Sequence, residues 1–129
     1  MKPGKRGLRR LVDATGYSFK GLKATFSNEA AFRQELVLVV VLLPCSFWLA
    51  TDWLRWLALI APLIILLIVE LLNSALEAVV DRVGDEFHEL SGRAKDMGSA
   101  AVLMSLLLVA TTWSVIAWER FNELFTVTN

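Results

Sequence analysis

The residues best suited to chemistry lie in one stretch, "VELLNSALEAVVDRVGDEFHELSGRAKD", residues 69–96. It begins at the last of thirteen unbroken apolar residues, 57–69. A charged side chain inside a bilayer is costly, so these acids need a reason to be there. At about 100° per residue, five polar side chains share one helical face about 100° wide: Glu70, Asn73, Ser74, Glu77 and Asp81. A polar stripe on a spanning helix faces protein or a wet cavity rather than lipid.

The depth of this stripe separates its two glutamates. Glu70 follows Trp53 by seventeen residues, or roughly 26 Å of helix at 1.5 Å per residue. Because the hydrocarbon core is about 30 Å thick, Glu70 is predicted near its inner boundary. Glu77 lies about 10 Å further along, among the headgroups or in water. The pattern predicts a carboxylate at the level of a lipid hydroxyl and others that water-soluble ligands can reach.

Carboxylate and amide oxygens suit Mg²⁺, whose coordination is usually completed by substrate phosphates. Glu29 is a candidate third oxygen ligand if its helix folds back. His88, Arg93 and Lys95 supply donors for phosphate oxygens. An acid, a metal and basic donors together favour phosphoryl transfer, in which positioning and charge neutralisation do most of the work.

Two other interpretations of the acidic stripe remain open at this point. Glu70 and Glu77 could pair with Arg82 or Lys95 as structural contacts, or they could form an ion or proton path through a small transporter. The sequence has no Walker A, kinase glycine-rich loop or G-x-G-x-x-G motif, so a nucleotide site must be of another kind.

The elements that must position these residues are predicted to be membrane helices. The 129 residues are 56% hydrophobic, and uncharged blocks cover residues 36–50, 57–69 and 97–118. A spanning helix needs roughly 20 apolar residues, which the third block meets alone. We expect a single domain of residues 1–129, with spans at about 30–50, 54–83 and 97–118. A small globular protein is the alternative, but the third block has no polar face to show to water.

Charge distribution predicts the orientation of the chain. Residues 1–33 carry eight basic and two acidic side chains, and residues 81–96 hold three further bases. The positive-inside rule then places the N-terminus in the cytoplasm and the C-terminus outside. The tryptophans fit an aromatic belt at the outer interface: Trp48, Trp53, Trp56, Trp113 and Trp118.

Before the first span, residues 7–28 have apolar side chains at helical spacing and basic ones between them. This pattern predicts an amphipathic helix on the membrane surface, its bases toward anionic headgroups. A small-residue series, Ala94, Gly98, Ala101 and Ser105, favours close helix packing in the third span and suggests an oligomer. The single Cys45 is expected to be a buried hydrophobe.

Residues 69–103, "VELLNSALEAVVDRVGDEFHELSGRAKDMGSAAVL", with "GYSFKGLKATFSNEAAFRQE" upstream, closely resemble the small bacterial integral-membrane diacylglycerol kinases. The resemblance covers residues 8–118. It implies an all-α membrane fold, a homotrimer in the bacterial inner membrane, and transfer of the γ-phosphoryl of MgATP to diacylglycerol, giving phosphatidate. Mg²⁺ is the implied cofactor; diacylglycerol, membrane lipid, ATP and further copies of the chain are the implied partners, and no nucleic acid is expected.

The resemblance also implies roles for individual residues. Glu70 resembles the general base, Glu29 and Glu77 the metal ligands, and Asn73 a supporting polar residue. The implied nucleotide contacts are Arg10, Tyr17, Glu29, Glu77, Glu86, Phe87, His88, Lys95 and Asp96. The implied lipid contacts are Ala14, Ser18, Ala31, Arg33, Glu35, Glu70 and Ser99. Phe87 stands where many relatives have Tyr, and the first span and the tail after Trp118 match poorly. A polyprenol kinase and a small cation or proton transporter are the alternative functions.

Overall fold

The residues that the structure describes form four helices. The computed structural model describes residues 6–84 and 88–127. Its helices are α1 (Leu8–Asn28), α2 (Ala30–Leu49), α3 (Trp53–Val83) and α4 (Glu89–Val127), and the described residues contain no strand. The all-α architecture predicted from the sequence is therefore confirmed.

Three of the helices, α2, α3 and α4, are long and apolar enough to cross a membrane. Pro44 and Pro62 lie inside α2 and α3. Cys45 of α2 is exposed in the single chain, so the expectation that it is buried is wrong. Helix α4 begins at Glu89 and continues to Val127, so it extends beyond the apolar block of residues 97–118 at both ends. Helix α1 buries none of its residues, which fits a surface helix.

Local chemistry sets both ends of α3. The Asp52 carboxylate accepts the backbone N–H of Arg55 at 2.8 Å, which caps the first turn. This backbone N–H, together with the Arg55 guanidinium, holds the pKa of Asp52 below its usual range. At the other end Gly84 ends the helix with a φ of 155°, a conformation that favours glycine.

The core lies mainly between α3 and α4. Leu59, Leu63 and Leu66 are almost fully buried on α3 and pack against Val109 and Ile116 of α4. Most other large apolar side chains of the spanning helices are exposed in the single chain, as expected for surfaces that meet lipid or further copies. The α3–α4 pair is therefore the frame on which the site is built.

The C-terminal part of α4 is fixed to the rest of the chain by polar contacts. Arg55 Nε donates to Glu119 Oε2 at 3.1 Å, and the Arg120 guanidinium lies 5.7 Å from the ring centre of Trp48. The tail after Trp118, for which the sequence offered little guidance, thus continues as helix to Val127 with contacts to α2 and α3.

Trp113 joins the two central helices. Its indole N–H donates to the Leu59 carbonyl at 3.1 Å, one turn before Pro62. We expect Trp113→Phe to destabilise the protein by about 1 kcal/mol or somewhat more, because it removes this donor and some packing volume. Unfolding in detergent titrations would measure the loss. Trp118→Phe is the matched control, since Trp118 is 70% exposed and should tolerate the change; equal losses in both variants would contradict the assignment.

Candidate functional site

Glu70 lies at the centre of the candidate site. Its side chain is only 3% exposed, on the face of α3 that turns inward. It shares a side-chain hydrogen bond with Glu35 of α2, which is 8% exposed. A hydrogen bond between two carboxyl groups requires that one of them carry a proton. The predicted general base therefore has a proton-sharing neighbour, which the spacing of residues within α3 could not reveal.

The charges of two further glutamates act on Glu70. One is Glu77, two turns along α3, and the other is Glu29, between α1 and α2. Both side chains are half-buried. The fold thus brings together Glu29, Glu70 and Glu77, which the sequence predicts to act in one site. It adds Glu35 as a neighbour of Glu70. Carboxylates from three parts of the chain converge beside one buried glutamate.

Several polar atoms around these carboxylates are buried. Within the described part of the chain, Glu35 Oε2, Asn73 Oδ1 and Ser74 Oγ are buried without a hydrogen-bond partner. Buried polar atoms of native proteins normally have partners, and exceptions gather at functional sites. Ser74 lies one turn after Glu70, and Asn73 turns toward Gly98 of α4, where its amide fills the space that a Cβ atom would need. These orphaned acceptors and donors fit a site built to hold a polar ligand.

On α4, a basic side chain lies beside the acidic stripe of α3. Lys95 Nζ lies 2.7 Å from Asp81 Oδ1, and the charge of Glu77 also acts on Lys95. Lys95 therefore has Asp81 as its ion-pair partner, a residue that the sequence placed on the polar stripe without a role. Asp96 is exposed next to it, and Arg93 pairs with Glu89 at 3.5 Å.

The remaining predicted nucleotide residues are spread over two elements. His88 is exposed, and its Nδ1 accepts the backbone N–H of Leu90 at 3.1 Å at the start of α4. Arg10 and Tyr17 are exposed on α1, and Lys20 lies 5.8 Å from the Tyr17 ring centre. Glu86 and Phe87 lie outside the described residues.

The residues predicted to contact the lipid lie on all four helices, and they differ in burial. Ala14 and Ser18 help to line a shallow apolar groove of about 330 Å³ on α1, where Ser18 Oγ donates to the Ala14 carbonyl at 2.9 Å. Glu35 and Glu70 are buried, whereas Ala31 and Ser99 are exposed. Arg33 turns back to α1, where its Nη1 donates to the Phe26 carbonyl at 2.7 Å.

The donors suit Mg²⁺ by type. A site that relies on substrate phosphates needs only one or two protein carboxylates, and Glu29 and Glu77 are carboxylates of that kind. Within residues 6–84 and 88–127, no group of three or more His, Cys, Asp and Glu side chains has the spacing of a metal site. By type and number, these two carboxylates would fit a cation shared with a phosphate.

Comparison with known proteins supports the resemblance seen in the sequence. The model of the family described as "Prokaryotic diacylglycerol kinase" matches residues 16–117. Diacylglycerol kinase of Escherichia coli (strain K12) is 52% identical over 116 residues, covering 90% of this chain and 95% of that protein.

Two further relatives carry the same name. Diacylglycerol kinase of Pseudomonas aeruginosa is 51% identical over 113 residues, which are 88% of this chain and 92% of the relative. Diacylglycerol kinase of Haemophilus influenzae is 47% identical over 110 residues, which are 85% of this chain and 93% of the relative. The chain therefore belongs to the prokaryotic diacylglycerol kinase family, and it is a transferase of the kinase type.

Proposed function

We propose that this protein transfers the γ-phosphoryl group of ATP to the free hydroxyl of diacylglycerol and releases phosphatidate and ADP. The observation that carries the proposal is the buried Glu70, hydrogen-bonded to Glu35 and acted on by Glu29 and Glu77. A carboxylate on a spanning helix can reach the hydroxyl of a lipid that stays in the bilayer. The names of the relatives supply the lipid substrate.

In this reaction the hydroxyl oxygen of the lipid attacks the γ-phosphorus and forms a new P–O bond. The bond from the γ-phosphorus to the oxygen that bridges it to the β-phosphorus breaks, and that oxygen leaves with ADP. The proton of the hydroxyl passes to Glu70 as general base. Because a base must lie within hydrogen-bond reach of the proton it takes, a glutamate fixed by Glu35 is well suited to the task.

The hydrogen bond to Glu35 also gives that residue a role in this scheme. If the shared proton resides on Glu35, Glu35 donates to Glu70 and leaves the Glu70 carboxylate charged and fixed in direction. A fixed carboxylate loses less entropy when it meets the hydroxyl, which is the advantage of a positioned catalytic group.

The nucleotide is proposed to lie on the cytoplasmic side of Glu70. Glu29 and Glu77 would hold Mg²⁺ together with the phosphates, where the cation would neutralise phosphate charge. Lys95 is the proposed phosphate donor, with Arg10, Tyr17, Glu86, Phe87, His88 and Asp96 as further nucleotide contacts. The carboxylates and Lys95 stand together on adjoining faces of α3 and α4, which supports this arrangement.

The lipid is proposed to bind where α1 meets the spanning helices. The proposed lipid contacts are Ala14, Ser18, Ala31, Arg33, Glu35, Glu70 and Ser99. The apolar groove that Ala14 and Ser18 line suits an acyl chain. The family's inner-membrane location, a cytoplasmic N-terminus and a homotrimer belong to the same proposal. The exposed apolar faces of the spanning helices support assembly, and native mass spectrometry from detergent would count the copies.

The test is transfer of radiolabel from γ-labelled ATP to diacylglycerol in mixed micelles, using the purified full chain with and without Mg²⁺. We expect labelled phosphatidate that depends on Mg²⁺. Undecaprenol in place of diacylglycerol tests the polyprenol alternative, and ion flux in liposomes tests the transporter. Label on the polyprenol alone, or ion flux without lipid labelling, would refute the proposal.

A further inference from the structure

Helices α1 and α2 meet at a hinge of one residue. Glu29, with φ −115° and ψ 108°, is the only non-helical residue between them. Its N–H donates to the Thr25 carbonyl at 2.8 Å, and its carbonyl accepts the Arg33 N–H at 3.3 Å. Since α1 buries no residue, its direction depends strongly on contacts at this hinge.

Arg33 reaches back across the hinge with its side chain. Its Nη1 donates to the Phe26 carbonyl at 2.7 Å and to the Ser27 carbonyl at 3.2 Å. Both carbonyls belong to the last turn of α1, where such groups have no partner within the helix. The C-terminal end of a helix also carries partial negative charge that a cation complements. The last turn of α1 contains no basic residue of its own, so the cation comes from α2.

This geometry points to a role for Arg33 beyond the lipid contact that the resemblance implies. We infer that Arg33 is a positioning residue that locks the angle between α1 and α2. By doing so it holds the Glu29 carboxylate toward Glu70 and keeps α1, with Arg10 and Tyr17, over the nucleotide side of the site. The effect of Arg33 on catalysis rests on the proposed function. Its effect on the angle between α1 and α2 does not.

Loss of the lock has a distinct kinetic signature. A looser α1 weakens the nucleotide side, so Arg33→Met should raise the KM for MgATP roughly tenfold. The KM for diacylglycerol should rise as well, because α1 also carries Ala14 and Ser18 of the proposed lipid groove. Arg33→Lys keeps the charge and can reach one carbonyl, so its KM for MgATP should lie between those of the wild type and Arg33→Met. Lys23→Met, which removes a charge from an exposed site on α1, is the control and should behave as wild type.

A direct readout of helix direction separates this inference from the catalytic proposal. In full-length protein with Cys45 replaced by Ala, spin labels at Val12 and Val83 report the distance between α1 and the cytoplasmic end of α3. Both sites are exposed, and Val12 lies far enough from the hinge for a change of angle to move it by several ångströms. Labelled chains are diluted with unlabelled ones so that distances within one chain dominate.

We expect the distance distribution to broaden in Arg33→Met, to broaden less in Arg33→Lys, and to match wild type in Lys23→Met. An unchanged distribution in Arg33→Met would overturn the inference, as would a rise in the KM for diacylglycerol with that for MgATP unchanged. Failure of the wild-type protein to phosphorylate diacylglycerol would refute the proposed function instead, and the distance measurement would still decide whether Arg33 locks the hinge.

Discussion

Replacement of Glu70 by Gln is expected to lower the turnover number about 10³-fold while the fold and ATP binding stay intact. General bases typically contribute 10²–10⁴-fold to a rate, and a carboxamide cannot take the proton of the lipid hydroxyl. Gln has nearly the same shape and keeps an acceptor oxygen for the hydrogen bond to Glu35, so the buried site should not collapse. The measurement is steady-state transfer to diacylglycerol, with ATP binding followed by calorimetry.

Glu123→Gln provides the matched control for this variant. It makes the same chemical change on an exposed residue near the C-terminal end of α4, and it should leave turnover unchanged. If Glu70→Gln turns over diacylglycerol at a near-normal rate, Glu70 is not the base. If ATP binding falls together with turnover, Glu70 belongs to the nucleotide site rather than to the lipid hydroxyl.

The three long apolar helices followed from the sequence because the relevant signals are local. The apolar blocks of residues 57–69 and 97–118, which lie within α3 and α4, can be recognised from neighbouring residues alone. The C-terminal extension of α4 was not predicted, for the opposite reason. Its polar residues give no membrane signal, and its fixed position depends on distant partners such as Arg55 and Trp48.

The site was predictable only in part. Helical periodicity aligned Glu70 with Glu77, because both lie on α3 and the angle per residue is constant. The Glu35–Glu70 hydrogen bond depends on how α2 crosses α3, which no spacing along the chain encodes. Arg33 is a similar case, since its contacts with Phe26 and Ser27 exist only for one angle at the Glu29 hinge.

Gly98 is the second position where a small change should have a large effect. A Cβ atom at Gly98 would collide with the Asn73 carboxamide, so Gly98→Ala must displace that side chain or part α3 from α4. Asn73 stands on the same stripe as Glu70 and Glu77, and misplacement by about 1 Å near a reacting centre can cost 10²-fold in rate. We expect turnover to fall between tenfold and a hundredfold, measured by transfer to diacylglycerol.

A double-mutant cycle distinguishes this collision from a general loss of packing. Asn73→Ala removes the group that the new methyl would strike, so adding Gly98→Ala to it should have little further effect on unfolding or turnover. Gly21→Ala is the control for alanine itself, because nothing lies within 4 Å of its Cβ position and α1 should gain about 0.5–1 kcal/mol. Equal penalties for Gly98→Ala with and without Asn73 would show that the glycine serves helix packing rather than the position of this amide.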